Sequence, residues 1–141
     1  MNPDVSAPSA ADAPDVAAFP FEFERRGDTT VAVAHGPDVY AASARPRRPV
    51  AMSPTGYAPL VGRYVNHNPE DEPVRIFVRE GALYATTGLY PAQRLVHVAG
   101  RTFRPAEPAF NPERYVFDGD AGGRALRLTV SGMPMYRIDE R

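Results

Sequence analysis

There is no cysteine, no tryptophan and no lysine in this chain of 141 residues. Without cysteine, neither a disulfide nor thiol chemistry is available, and the compartment leaves no redox trace. Without lysine, all sixteen basic residues are arginine, and every mechanism that needs a lysine amine is excluded. The wealth of Arg, Ala and Pro reads as the mark of a genome rich in G and C. Long apolar runs are missing, so no stretch reaches the length of a membrane span. The N-terminus has neither a basic start nor an apolar stretch, so no signal peptide is visible and the localisation is left open. A net charge of −1 implies no strong attraction to nucleic acid or anionic lipid. Helical periodicity nowhere persists beyond a turn or two.

What is there is β-structure, clearest in residues 60–87, LVGRYVNHNPEDEPVRIFVREGALYATT. Val74, Ile76 and Val78 alternate with Arg75, Phe77 and Arg79, and a period of two sends the two sets to opposite faces of a strand. β-Branched residues suit a pleated, half-buried surface, and each contributes about 1.5–3 kcal/mol once buried. The first set is therefore expected to supply the core. Glu80-Gly81 follows as a tight turn, since Gly takes the positive φ that such turns require, and Ala82-Leu83-Tyr84-Ala85 begins the returning strand. Upstream, Leu60, Gly62 and Tyr64 share one face, and Val61, Arg63 and Val65 the other. Pro69 and Pro73 bracket the acidic loop between the two strands, where a missing amide donor does no harm.

The rest of the chain divides by composition. Residues 1–18 are Ala, Pro, Asp and Ser with almost no large apolar group, too little to offset the entropy of ordering, and are expected to be a disordered tail or linker. Residues 19–44 form a short β-meander. Phe19, Phe21 and Phe23 alternate with Pro20, Glu22 and Glu24, Arg26-Gly27-Asp28 and Gly36-Pro37-Asp38 turn, and Val31 and Val33 alternate between them. This unit is too small to be stable alone and must pack on the remainder or on another body. Residues 45–56 are a Pro- and Arg-rich linker; its arginines have no basic face or aromatic platform beside them to make a nucleic-acid site. Residues 57–141 hold the main domain. Strands are expected around Gln93–Val98, Thr102–Arg104 and Tyr115–Phe117, and after the DGDAGG turn at residues 118–123. In the strand that follows, Leu126, Leu128 and Val130 are expected inward and Arg127 and Thr129 outward. A last strand covers residues 133–138. Short strands joined by short loops predict an all-β fold, a small antiparallel up-and-down barrel of about eight strands preceded by the meander.

No catalytic constellation emerges. Tyr64-Val65-Asn66 matches the Tyr-x-Asn element of penicillin-recognising serine hydrolases, but no Ser is followed by Lys three places on, and no Gly-x-Ser-x-Gly elbow exists. His35, His67 and His97 lack metal-ligand spacing. Neither residues 66–72 nor the segment from Asp118 completes a calcium loop, and no pair of carboxylates stands out for acid–base work. No cofactor is implied. Arg63, Arg75 and Arg79 are the candidate ligand-binding residues. They are expected on one face of the first hairpin, where they would form a charged solvent face, or would grip a carboxylate if that face lined the barrel interior.

With the strands laid out, the chain resembles the lipocalin-like β-barrel found C-terminal to the catalytic domain in serine β-lactamase-related hydrolases, the group of class C β-lactamase-like proteins, penicillin-binding-protein relatives and D-amino-acid peptidases. The matching residues are Leu60-Val-Gly62-Arg-Tyr64, Arg79-Glu-Gly81-Ala-Leu83, Leu95, Phe103-Arg104, Pro112-Glu113-Arg114, Phe117-Asp118, and Ser131-Gly132 through Tyr136-Arg137. The resemblance covers residues 59–137, and residues 19–40 look like the last strands of the segment that precedes this module. The Gly-x-Trp signature of true lipocalins is absent. The resemblance implies a non-catalytic accessory domain that shapes active-site access, contacts substrate or pairs subunits. Its implied partners are a serine-hydrolase catalytic domain in the same or a longer chain and, through subunit pairing, a second copy. The alternative is a stand-alone barrel that binds a small apolar ligand.

Overall fold

The computed structural model of the chain describes residues 19–42 and 56–139. The expected tail at residues 1–18 and nearly all of the expected linker at 45–56 lie outside these. Among the described residues eleven strands make two sheets. The first three, β1 (Phe21–Arg26), β2 (Thr29–His35) and β3 (Asp38–Ala41), form an antiparallel three-stranded meander. The other eight are β4 (Gly62–Val65), β5 (Val74–Arg79), β6 (Ala82–Thr86), β7 (Gln93–Ala99), β8 (Thr102–Pro105), β9 (Tyr115–Ala121), β10 (Arg124–Val130) and β11 (Met133–Ile138). Each pairs antiparallel with the next, and β11 pairs with β4 to close a barrel. Eight strands enclose a space just wide enough for side chains to fill. Tyr64, Ile76, Leu83, Leu95, Phe103, Tyr115, Phe117, Leu128 and Met135 fill it.

Local chemistry explains the hairpins. Glu80 and Gly81 both take positive φ, 50° and 76°, the conformation of a two-residue turn whose twist matches that of its strands. Asp118 and Arg127 face each other across β9 and β10 and form a two-point ion pair of 2.7 and 2.8 Å. That pairing carries β9 on to Ala121. Residues 118–121 of the DGDAGG segment are therefore strand, and only Gly122 and Gly123 separate it from β10.

The expected inward set on β10 is corrected in one place. Leu126 is 43% exposed, and Ala125 is fully buried instead. The chain before β4 crosses this end of the barrel, where Ala125 N donates to Pro59 O at 2.9 Å, so Ala125 is covered. Leu126 lies across from Gly119 near the tip of the hairpin.

A second difference concerns β5. Its outer face, Arg75, Phe77 and Arg79, does not lie in solvent as a charged face: Phe77 and Arg79 are buried. The meander packs there, with Phe19 meeting Phe77 edge-on at 5.1 Å between ring centres. The meander thus does pack on the barrel, through a face its composition does not advertise. Glu22 points to the barrel, and Phe21 and Phe23 point away.

Candidate functional site

Three arginine clusters stand out on the barrel, and the candidates Arg63, Arg75 and Arg79 are divided between two of them. All three lie on the outer face of β4 and β5, since the interior is taken by Tyr64, Val74 and Ile76. Gripping a ligand inside the barrel is therefore not open to them.

Arg79 is spent on the junction with the meander. Its guanidinium lies beside the stacked rings of Phe77 and Tyr84, 5.3 and 5.0 Å from their centres. Its Nε donates to Gly36 O at 2.5 Å, and its two terminal nitrogens donate to the two Glu22 carboxylate oxygens at 3.3 and 3.1 Å. Glu22 also accepts the amide of Ala92 at 3.1 Å. A fork of donors against a carboxylate is the strong form of this contact. Arg75 leans the same way and places its charge 5.5 Å above the Phe19 ring. A Cβ on Gly36 would come within 2.8 Å of the Phe19 ring, so the turn between β2 and β3 can approach only as glycine.

The second cluster is built on Arg137, whose role sequence reasoning missed. β11 ends and β4 begins at the same end of the barrel. There the Arg137 guanidinium donates to Ala125 O, Val61 O and Pro59 O at 2.6, 2.5 and 2.9 Å, and to the Tyr64 hydroxyl at 2.8 Å. Tyr64 in turn donates to Leu60 O at 2.8 Å. The group lies over the Tyr64 ring, 5.1 Å from its centre, and against Gly62, where a Cβ would run into Arg137 Nη1. The signal in the sequence was Gly62 itself: a glycine inside a strand marks a close approach. Burial raises the Tyr64 phenol above its ordinary value, and the neighbouring Arg137 offsets part of that rise.

The third cluster is a groove outside this latch, about 560 Å³ in volume, lined by Arg63, Arg124, Arg137 and Asp139 among others. Arg63 sits opposite Arg75 on one side and Ile138 on the other. Its Nε is shut off from solvent and meets no acceptor.

The remaining candidates for chemistry have structural partners. The histidines are apart: His35 stacks on Phe21 at 4.4 Å, His67 lies 5.1 Å from Tyr136, and His97 Nε2 contacts Gly100 O at 2.8 Å. Of the Tyr-x-Asn element, Tyr64 is a core residue, and Asn66 accepts the Asn68 amide at 3.3 Å. Among the described residues no cluster of three or more His, Asp or Glu is placed to hold a metal ion. Among the described residues no helix is long and apolar enough to cross a membrane.

The fold thus defines a closed antiparallel barrel carrying a small sheet on its outer face. Compared with known protein families, with curated proteins and with solved structures, the chain matches none.

Proposed function

We propose that this chain serves as a non-catalytic, lipocalin-like accessory barrel of a serine β-lactamase-related hydrolase, and that it docks on the catalytic domain of that enzyme through the outer face of its meander. The reading starts from the resemblance of residues 59–137, and one observation carries it further. Phe21, Phe23 and Tyr40 are 62%, 58% and 65% exposed on the side of the small sheet turned away from the barrel. Val33 stands between Phe23 and Tyr40 in the register, on the same face. Several aromatic rings side by side on an open sheet face mark an interaction surface, and aromatic residues are the usual anchors of one. The resemblance puts the catalytic domain on the N-terminal side of the barrel, where the meander lies in the chain. The reacting groups, a Ser-x-x-Lys pair, would belong to that domain.

Two measurements test this. The purified chain, given nitrocefin and D-amino-acid peptides, is expected to turn over neither. Turnover that disappears on replacing one Ser would sink the reading. Mixed with a separately produced Ser-x-x-Lys domain of its own hydrolase, the chain is expected to bind it and change its kcat or KM. Replacing Phe21 and Phe23 with Ser is expected to abolish that effect while leaving the barrel folded.

A further inference from the structure

The end of the barrel away from Arg137, where β5, β7 and β9 begin and β6 ends, carries a cavity of about 260 Å³. Val74, Ala85 and Tyr115 are its buried lining, and Tyr90 and Glu113 stand nearer solvent. Drug-sized ligands occupy pockets of about 300–1,000 Å³, so this one suits a small molecule. Its walls are held by the protein's own bonds. The buried Thr86 hydroxyl donates to Tyr90 O at 3.2 Å and accepts the Gly88 amide at 3.1 Å, which fastens the loop after β6. Asn111 Oδ1 accepts the Glu113 amide at 2.9 Å, and Arg114 Nη1 donates to the main-chain oxygens of Asn111 and Glu113 at 3.0 and 2.9 Å, which fastens the loop before β9.

Two polar groups border this cavity without a partner. Tyr115 is only 6% exposed, yet its hydroxyl makes no hydrogen bond among the described residues. Buried polar groups are nearly always paired. Among the described residues the one unpartnered side-chain nitrogen or oxygen that is shut off from solvent is Arg63 Nε, so the Tyr115 hydroxyl is open to the cavity and can be reached from it. Glu113 is half-buried, and among the described residues its carboxylate takes part in no ion pair or hydrogen bond. It is the one charged side chain in the lining, and no arginine borders the cavity. Burial, and then the charge of Glu113, push the Tyr115 phenol up to about 12, whereas at Tyr64 the charges of Arg137 and Arg101 offset part of the rise. The potential in the cavity is thus negative and set by one carboxylate.

We propose that this cavity binds a small primary amine, whose ammonium group donates one hydrogen bond to the Glu113 carboxylate and one to the Tyr115 hydroxyl oxygen, with its short apolar chain against Val74 and Ala85. An ammonium N–H on a carboxylate is a charge-assisted bond, stronger than a neutral one. The Tyr90 ring beside the cation adds a weaker attraction. A neutral alcohol of the same size forgoes the charge, and an anion is repelled by Glu113. The site does not depend on the accessory role proposed above.

The experiment follows the backbone amide signals of the full chain by NMR at neutral pH during titration with n-butylammonium chloride, at ionic strength held constant with sodium chloride. Butanol and sodium butyrate, matched in size, are titrated separately. Saturable shifts with butylammonium are expected at residues 87–90 and 113–115, with a Kd of about 1–10 mM, the scale for so few ligand atoms. Butanol and butyrate should bind weaker by about tenfold or more, the worth of a hydrogen bond to a charged group. Glu113→Gln should weaken butylammonium binding by the same factor. Tyr115→Phe should weaken it about threefold or more, and Tyr90→Leu about two- to fivefold. Backbone spectra of the free variants show whether the fold is intact. Glu113 lies in a loop, so its variant tests the site even where Tyr115→Phe does not fold. The proposal fails if butylammonium gives no saturable shift at these residues, or if butanol or butyrate binds as well. It fails equally if Glu113→Gln leaves the affinity unchanged.

Discussion

Arg137 is the residue on which one end of the barrel closes. Its guanidinium ties β10, β11 and the segment entering β4 together through three backbone carbonyls. Arg137→Met removes these contacts and is expected to cost about 2–4 kcal/mol, measured by urea unfolding. Gly62→Ala, which drives a methyl into the same guanidinium, should destabilise in the same direction, and the two losses should not add, because they break one latch. Tyr115 supplies a pH dependence. Burial, with some help from Glu113, pushes its phenol up from 10.0 to about 12. The folded chain therefore holds this proton more tightly than the unfolded chain does. The stability it represents, about 2–3 kcal/mol, is fully present below pH 10 and is lost as the pH rises through about 12. Tyr115→Phe should flatten the fall in unfolding free energy over that window and change little at pH 7. An unaltered alkaline slope in the variant would discount this assignment.

At the scale of the element, the meander is the part whose stability is borrowed. Three short strands do not hold together alone, and the Arg79–Glu22 contact with the Phe19–Phe77 packing is what fastens them to β5. Arg79 is buried and Glu22 only partly exposed, so Glu22→Gln removes a charge partner from a shielded guanidinium. The expected cost is about 2–3 kcal/mol. Because it falls on the junction, it should appear as local opening: faster hydrogen exchange at the amides of β1 to β3, with those of β5 to β8 unchanged. Equal acceleration in both sheets would mean that the meander and barrel unfold as one unit. The strand boundaries were largely legible, because alternation and turn residues coincide at Glu80-Gly81 and Ser131-Gly132. The DGDAGG stretch misled because Asp and Gly are poor strand formers. The cross-strand partner Arg127, which keeps Asp118 in β9, is nine residues away in the chain.

On the scale of the whole molecule, a closed barrel of eight strands leaves an interior that side chains can fill, and here Tyr, Phe, Leu, Ile and Met fill it. A fatty-acid fluorophore is therefore expected to show no saturable binding. A micromolar Kd would restore the reading of the chain as a carrier of small apolar ligands. Leu83, with no exposed surface, should cost about 2–5 kcal/mol as Leu83→Ala, and the space so made is the place where such a probe should begin to bind. By itself the sequence determined that this is an all-β protein, where its turns fall, and that no lysine or thiol chemistry belongs to it. Those properties follow from residue type and a period of two, which are local. Only the tertiary structure decided which face of each strand is covered. Alternation defines two faces but cannot say what lies against them, and β5 looked half solvated until Glu22, 57 residues away, was seen to meet Arg79. The same limit applies to Arg63 and Arg124, 61 positions apart in the chain and brought to one groove by the closure of β11 on β4.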